Sequence, residues 1–441
     1  MKRLYNNDVI SRFLVLQPII DIITSLMINE LLIPVSLGMI IRFLFLVYAS
    51  IYLINKKDKK INGIFIILIL YMGISTIGNY HIKDSFSLFT QASFMLKFIY
   101  FPISLLFFYE YFKEHKELNM NVYIHASLLM TLSLFVSILT NTSYCSYMGG
   151  DFDCHLRGYL GWFNSANETS VILIFYFGMM LINYLKQKSG MGYFYLLLVA
   201  IFMILIGTKT GFIGLFGILV IYILYYLIST MINNKKVVLF KKILILLISL
   251  IAVILYIPNT PLYFNLDLSY TYSKEQLVNN KNNKEESEPI IEPTIQDDDT
   301  IVANHLVFND RDEFLIYNKE IYKNSSLFNK LFGITNQGNY INGIKYDHIC
   351  ERDLHDLIIY YGIIGLLVEL LIPFILLIKL IKNIVKKPKI MLDDKFIITG
   401  IVSALILAVS YLAGHTLFNP AVSIYLALVI TNLVRMSDIH E

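Results

Sequence analysis

Charge is scarce in this sequence: only 16% of its 441 residues are Asp, Glu, Lys or Arg, where a soluble globular chain carries about a quarter. With 36 basic against 33 acidic residues the net charge is +3, and most basic residues stand in short islands between apolar runs. That distribution argues against a nucleic-acid-binding surface. Recognised metal-ligand spacings are absent as well; His348, Cys350 and His355 match no zinc pattern. The D-x-D pairs Asp151/Asp153 and Asp310/Asp312 resemble the metal-binding pairs of nucleotide-sugar enzymes, but they fall in segments expected outside, where nucleotide sugars are not available. No metal and no cofactor is therefore expected. There is no phosphate-loop motif, and no evident internal repeat of the kind many transporters show. Residues 1–21 lack a small-residue cleavage pattern, so they read as the start of an uncleaved first span. Only three cysteines occur. Cys145 and Cys154 share one loop and can pair in an oxidising compartment, but with Cys350 as a third thiol the connectivity stays open.

What the sequence has in quantity is apolar length. Hydrophobic residues make up 56%, the mean hydropathy is +0.62, and the apolar residues come in runs of about twenty, the length a bilayer core requires of a helix. Twelve spans are predicted, at 10–28, 32–54, 61–79, 92–112, 122–140, 167–185, 191–207, 211–230, 240–257, 356–381, 395–413 and 417–434. The fold class is thus an all-α polytopic membrane protein. A membrane domain of nine spans (1–257) precedes a large loop (258–354), and three further spans follow (355–441).

Lys and Arg in short loops set the orientation. Lys56–Lys60, Phe112–Asn121, Lys186–Lys188, Asn233–Lys242 and Lys382–Lys389 all fall on one side. This predicts cytoplasmic termini and an extracytoplasmic large loop in a bacterial cytoplasmic membrane. Within that loop, 279–300 is acidic and poor in aromatics, too polar to offset its ordering entropy; it reads as a flexible insertion. In Arg311–Asn324, Phe314, Tyr317 and Ile321 follow helical spacing and are expected to share one face.

Charged residues inside spans cost about 2.5–3.5 kcal/mol each at mid-bilayer and so need a partner or a purpose. Asp21 and Arg42 lie at similar depth in the first two spans, and an ion pair is expected between them. Glu369 is mid-span, where a neighbour within the bundle is expected to bond it. Lys97 is near a span end and can snorkel. Lys209 stands in the turn Gly207-Thr208-Lys209-Thr210-Gly211, at a helix N-terminus suited to phosphate. Arg157 and Arg311 are the other outer cations, alternatively plain surface residues. Asp353, Asp356 and Tyr360 share a helical face just after Glu351, and carboxylates there can serve as general bases or simply begin a solvated helix.

Five segments together resemble the O-antigen ligase and polysaccharide polymerase superfamily, particularly its capsule and exopolysaccharide polymerases. They are Leu16–Asp21, the Arg157…Gly161…Asn164…Asn167 stretch, Gly207–Gly211, Arg311 through Gly365, and Gly414–Pro420. The resemblance covers most of the chain. It implies a GT-C-like helical fold and an inverting, metal-independent transfer of glycan from undecaprenyl diphosphate to a hydroxyl. Lys209 would replace a family arginine at the diphosphate, with Arg157 and Arg311 beside it. Asp356, Arg42 and Asp21 would support the site. Many ligases carry His-Asn where this chain has Glu351-Arg352. That departure leaves Glu351, His355 and Asp353 as candidate bases, in that order. The expected activity is polymerisation of lipid-linked repeat units, with other polysaccharide-assembly proteins as partners. Transfer to another acceptor, as by a ligase, and transport of the lipid-linked unit are the alternatives.

Overall fold

The computed structural model describes residues 7–33, 36–83, 85–115, 117–147, 153–187, 190–232, 239–271, 311–341, 344–346 and 349–439. The expected flexible insertion at 279–300 and His348 lie outside them. Each predicted span is a helix: α1 Asn7–Asn29, α2 Leu37–Asn55, α3 Lys59–Ile82, α4 Leu88–Glu114, α5 Met120–Leu139, α6 Ala166–Lys186, α7 Met191–Leu205, α8 Lys209–Ile232, α9 Phe240–Tyr256, α10 Asp353–Lys386, α11 Asp394–Leu412 and α12 Pro420–Ile439. Eleven of these are long and apolar enough to cross a membrane, and α7 is a shorter apolar helix.

Local sequence chemistry starts several of them. Ser36, Ser87, Asn119 and Asp393 each accept a hydrogen bond from a backbone N–H of the first turn they precede, which satisfies donors a helix start leaves open. Once formed, the helices sort by burial. α6 is the central post, buried from Thr169 to Leu185 and packed by α5, α7, α8, α11 and α12. Its serine and others like it stay satisfied inside the bundle by bonding back along their own helix, Ser170 to Ala166 (2.7 Å) and Ser403 to Thr399 (2.8 Å). The periphery is apolar too: Leu44, Ile69, Leu224 and Leu367 are all more than half exposed. Such a surface is stable against lipid, not against water.

The loops joining α1–α2, α3–α4, α5–α6, α7–α8, α9–α10 and α11–α12 gather at one end of the bundle. Tyr144 donates to Glu30 (2.8 Å), Lys83 to the Gln337 carbonyl (2.9 Å), and Asn265 to the Arg157 carbonyl (3.0 Å). Two small hairpins, Tyr144–Cys145 with Tyr159–Gly161 and Tyr340–Ile341 with Ile344–Lys345, lie in these loops. Cys145 and Cys154 are disulfide-bonded and Cys350 is a buried free thiol.

Two features go beyond the expectations. The tenth span is not continuous, because Gly362 adopts φ 73°, ψ 177° and breaks α10. A side chain there would meet the Leu331 carbonyl oxygen at 2.4 Å, so only glycine lets the Leu327–Phe332 helix press against the break. The helix Arg311–Asn324 forms, but its buried face is Leu315 and Asn318, while Tyr317 is 45% exposed. Asn318 goes inward because its Oδ1 accepts the hydroxyl of buried Tyr360. Ile321 still packs against the core, and the Tyr317 ring lies 5.5 Å from that of Tyr346.

Candidate active site

The cations come first. The turn before α8 is tied to the central post by Thr208, whose hydroxyl lies 2.6 Å from that of Ser170 and accepts the Gly211 N–H (3.0 Å). Lys209 is the first residue of α8. Arg157 ends the short helix Cys154–Arg157, and its guanidinium lies 5.7 Å from the Tyr147 ring. The Cys145–Cys154 disulfide binds the segments carrying these two residues. A cleft of about 90 Å³ is lined by Tyr147, Arg157, Lys209, Asn265 and Ser269. Arg311 does not line this cleft, but its charge acts on both Tyr147 and Lys209. Burial pushes the Tyr147 phenol up, against the pull of Arg311 and Arg157. Arg157 and Lys209, far apart in sequence, thus share a cleft with one tyrosine, and the charge of Arg311 acts on it.

Arg311 is also the link to the acidic side. Its Nε lies 3.2 Å from Glu351 Oε2, and His415 Nε2 lies 3.5 Å from the same oxygen. The hydrogen bond from His415, with Arg311 in support, holds the Glu351 carboxyl below the usual carboxylate range. Burial alone would lower the His415 imidazole; Glu351 and the charge of Glu168 outweigh it and hold the ring above its ordinary value. Both residues are in the left-handed backbone region, with φ 56° and 59°, a conformation that costs of order 1–3 kcal/mol for a side-chain-bearing residue. Neighbouring contacts enforce it. Gly414 passes so close that a Cβ would meet the Glu351 carbonyl oxygen at 2.4 Å. Asp353, 1% exposed, clamps the α11–α12 loop: its Oδ2 accepts Ser410 Oγ (2.8 Å), Thr416 N (2.9 Å) and Leu417 N (2.8 Å). Asp356 accepts the backbone N–H of Cys350 (3.0 Å) and Arg352 (3.1 Å), fixing the turn that carries Glu351.

His415 opens onto a cavity of about 220 Å³ that also touches Glu168, Asn336, Asp353, Asp356 and Asn419. A larger one, about 350 Å³, adjoins it and shares Lys97, Glu168, Asn419 and Pro420. The polar end of this second cavity holds Asp21 and Arg42, which form the expected ion pair. Its lining also includes apolar Ile28, Met39 and Phe43, each at least 40% exposed on the helix flanks. Lys97 is exposed between the two cavities.

Of the residues nominated from sequence, Arg157 and Lys209 share one cleft, Arg311 pairs with Glu351, and Asp353 and Asp356 line the His415 cavity while holding backbone. His355 sits with its ring 6.1 Å from Tyr411 and does not line the cavity. Glu369 is fully buried, and neither of its oxygens has a hydrogen-bond partner among the described residues. Sequence reasoning placed His415 in a terminal motif without giving it a role, and passed over Glu168 and Tyr147. The available signal was position: each lies in, or within a turn of, a loop on the same side as Glu351. Among the described residues no group of three or more His, Cys, Asp or Glu is placed to hold a metal ion.

A family model described as O-antigen ligase like membrane protein matches residues 4–439. No curated protein and no solved structure matches the chain.

Proposed function

Because the chain belongs to the O-antigen ligase like family of membrane proteins, we propose that it is a polysaccharide polymerase. In this reading it joins undecaprenyl-diphosphate-linked oligosaccharide repeat units on the extracytoplasmic face of a bacterial cytoplasmic membrane, and the loop-rich end is that face. The observation that carries the proposal is the His415–Glu351 pair, which lies between a three-cation cluster and a cavity open toward the lipid-facing flank of α1 and α2.

The donor's diphosphate is held by Lys209, Arg157 and Arg311, whose charges suit a dianionic bridge and its leaving state. The acceptor unit enters from the cavity beside Asp21, Arg42 and Lys97, its polar head inside and its lipid along Met39 and Phe43. With Nε2 protonated toward Glu351, the His415 lone pair stands on Nδ1 and takes the proton of the acceptor hydroxyl. That oxygen attacks the donor's anomeric carbon from the face opposite the diphosphate. The bond to the diphosphate oxygen breaks, its electron pair leaves with undecaprenyl diphosphate, and the configuration inverts. Glu351 stabilises the imidazolium that forms, as a carboxylate does for a catalytic histidine elsewhere. It occupies the position at which many ligases carry histidine; here the imidazole arrives from another loop.

Purified protein in detergent, given undecaprenyl-diphosphate-linked repeat units, should yield a ladder of lipid-linked chains. Unchanged single units would refute polymerisation. In a deletion strain, full-length chains left on the lipid carrier would identify a ligase, and units retained inside would identify a transporter.

A further inference from the structure

A third cleft, about 290 Å³, lies at the loop-rich end between the end of α3, the helices Arg311–Asn324 and Leu327–Phe332, and the segment 334–340. None of the steps above uses it. Its volume is close to the lower end of small-ligand sites, about 300 Å³. Its lining is rich in amides and hydroxyls: Asn324, Ser325, Asn329 and Asn339, with Glu320 and the half-exposed ring of Tyr340 at the rim.

Two features indicate what would bind there. The cleft's lysine is turned away from anions, since Lys83 Nζ donates to the carbonyls of Gln337 (2.9 Å) and Gly338 (3.4 Å) and to Asn339 Oδ1. Among the described residues lining the cleft no cation is poised for a phosphate, and Glu320 stands against one. Asn329, only 6% exposed, lines the cleft with its Oδ1 lacking a hydrogen-bond partner among the described residues. A buried acceptor of this kind calls for a donor, and a neutral, hydroxyl-rich ligand supplies donors without charge. An aromatic rim beside amides adds an apolar face for a sugar ring.

The cleft is also next to the reactive cavity. Asn336 lines that cavity, while Gly338 and Asn339 line the cleft; two residues of chain span at most about 7 Å. The segment 334–340 is thus a thin partition. It is pinned by Ile334 N to Ile359 O (3.1 Å) and Thr335 N to Tyr360 O (3.2 Å), and Asn336, which lines the reactive cavity, carries a second buried acceptor, its Oδ1, without a partner among the described residues.

We propose that this cleft is a subsite for the sugars of the glycan that do not react, a neutral oligosaccharide crossing the partition from the reactive cavity, and that its occupancy retains the growing chain between additions. The proposal rests on the glycan-transfer reading above, and two measurements separate them. The first is the length distribution of polymer made in detergent by wild type, Asn329→Ala and Asn324→Ala, together with the rate of the first coupling. Loss of one hydrogen bond, worth about 1 kcal/mol, should shorten mean chain length several-fold and leave first coupling nearly unchanged. That unchanged rate also shows the variants are folded, and exposed Asn324 serves where buried Asn329 does not. The second is saturation-transfer NMR with free oligosaccharide released from the cell's own lipid-linked repeat units. Transfer to the sugar should be seen with wild type and with Lys209→Ala, and should fall in both asparagine variants. If wild type makes no polymer but the NMR pattern holds, polymerisation fails and the subsite stands. Unchanged sugar signals in both variants, or none with wild type, would overturn the subsite whatever the polymer does.

Discussion

At the end of the bundle away from the large loop, basic residues sit against acids: Lys56 with Glu114, Lys395 with Glu117, and Lys379 and Arg435 both with Asp438. At the loop-rich end Arg157 and Arg311 face the same tyrosine, and Lys209 feels the charge of Arg311. The first arrangement neutralises itself and asks nothing of a ligand. The second sets Arg157 and Lys209 around one cleft, with Arg311 acting on it by charge and paired to Glu351, an excess of positive charge in a partly buried place of the kind functional sites show. An anion bound there would add to the partners these cations have, and on that ground the two ends, built from the same residue types, are read as anchor and site.

The sharpest way to test that contrast is at the residue joining cations to cavity. His415→Ala should lower turnover about 10²–10⁴-fold, the usual worth of a positioned general base, with the protein still inserted at normal levels. Activity should rise with pH, because the ring acts as base only when neutral and its pKa is held above the ordinary value. Glu351→Gln removes the hydrogen bond that raises it, so the acid limb should move to lower pH as the rate falls. A pH–rate profile reads both, and an unmoved limb would separate Glu351 from the base. The pair also stabilises the fold. Glu351 is depressed and His415 raised, so the contribution is complete between about pH 4.3 and about 6.5. It is lost as pH falls through the depressed carboxyl or rises through the raised imidazole.

Next in size is the buried pair. Arg42→Met leaves Asp21 without its partner and should cost about 3–5 kcal/mol of stability, seen as a lower unfolding temperature in detergent. The double variant Asp21→Asn with Arg42→Met should recover part of it. No recovery would mean that each residue acts through other contacts.

Smaller again, Arg311→Ala or Lys209→Ala should raise KM for the lipid-linked donor about 10–100-fold, the loss of a hydrogen bond to a charged group at about 1.5–3 kcal/mol. Unchanged KM in both would remove the diphosphate from this cluster. Smallest is the control at the other end. Lys395→Ala breaks a partly exposed pair and should change stability by less than about 1 kcal/mol with turnover intact. A turnover defect there would erase the distinction between the two ends.

How much of this could be read in advance follows from how local each feature is. The spans were legible to within a few residues because a bilayer selects apolar length segment by segment. The caps Ser36, Ser87, Asn119 and Asp393 are as local, a side chain and an amide two or three residues away, though they were not read from the sequence. The Asp21–Arg42 pair was legible because a short hairpin sets the relative depth of neighbouring spans. The face of Arg311–Asn324 was not, since Asn318 turns inward only to meet Tyr360, which sits on another helix. The three cations were grouped at a diphosphate by the family resemblance alone; nothing in their spacing says that Arg157 and Lys209 share a cleft with Tyr147.

The sequence by itself determined that the chain is a helical membrane protein, where its spans lie, and which charged residues needed an explanation. Tertiary structure decided that an imidazole stands beside Glu351. His415 comes from the loop before the last helix, is held there by the Asp353 carboxylate accepting Thr416 and Leu417 N–H groups, and gets close only because Gly414 has no side chain. Hydropathy is a property of each segment in its solvent, and so is written along the chain. A proton-transfer pair is a property of distance between segments, and that distance exists only after the loops have closed over one another.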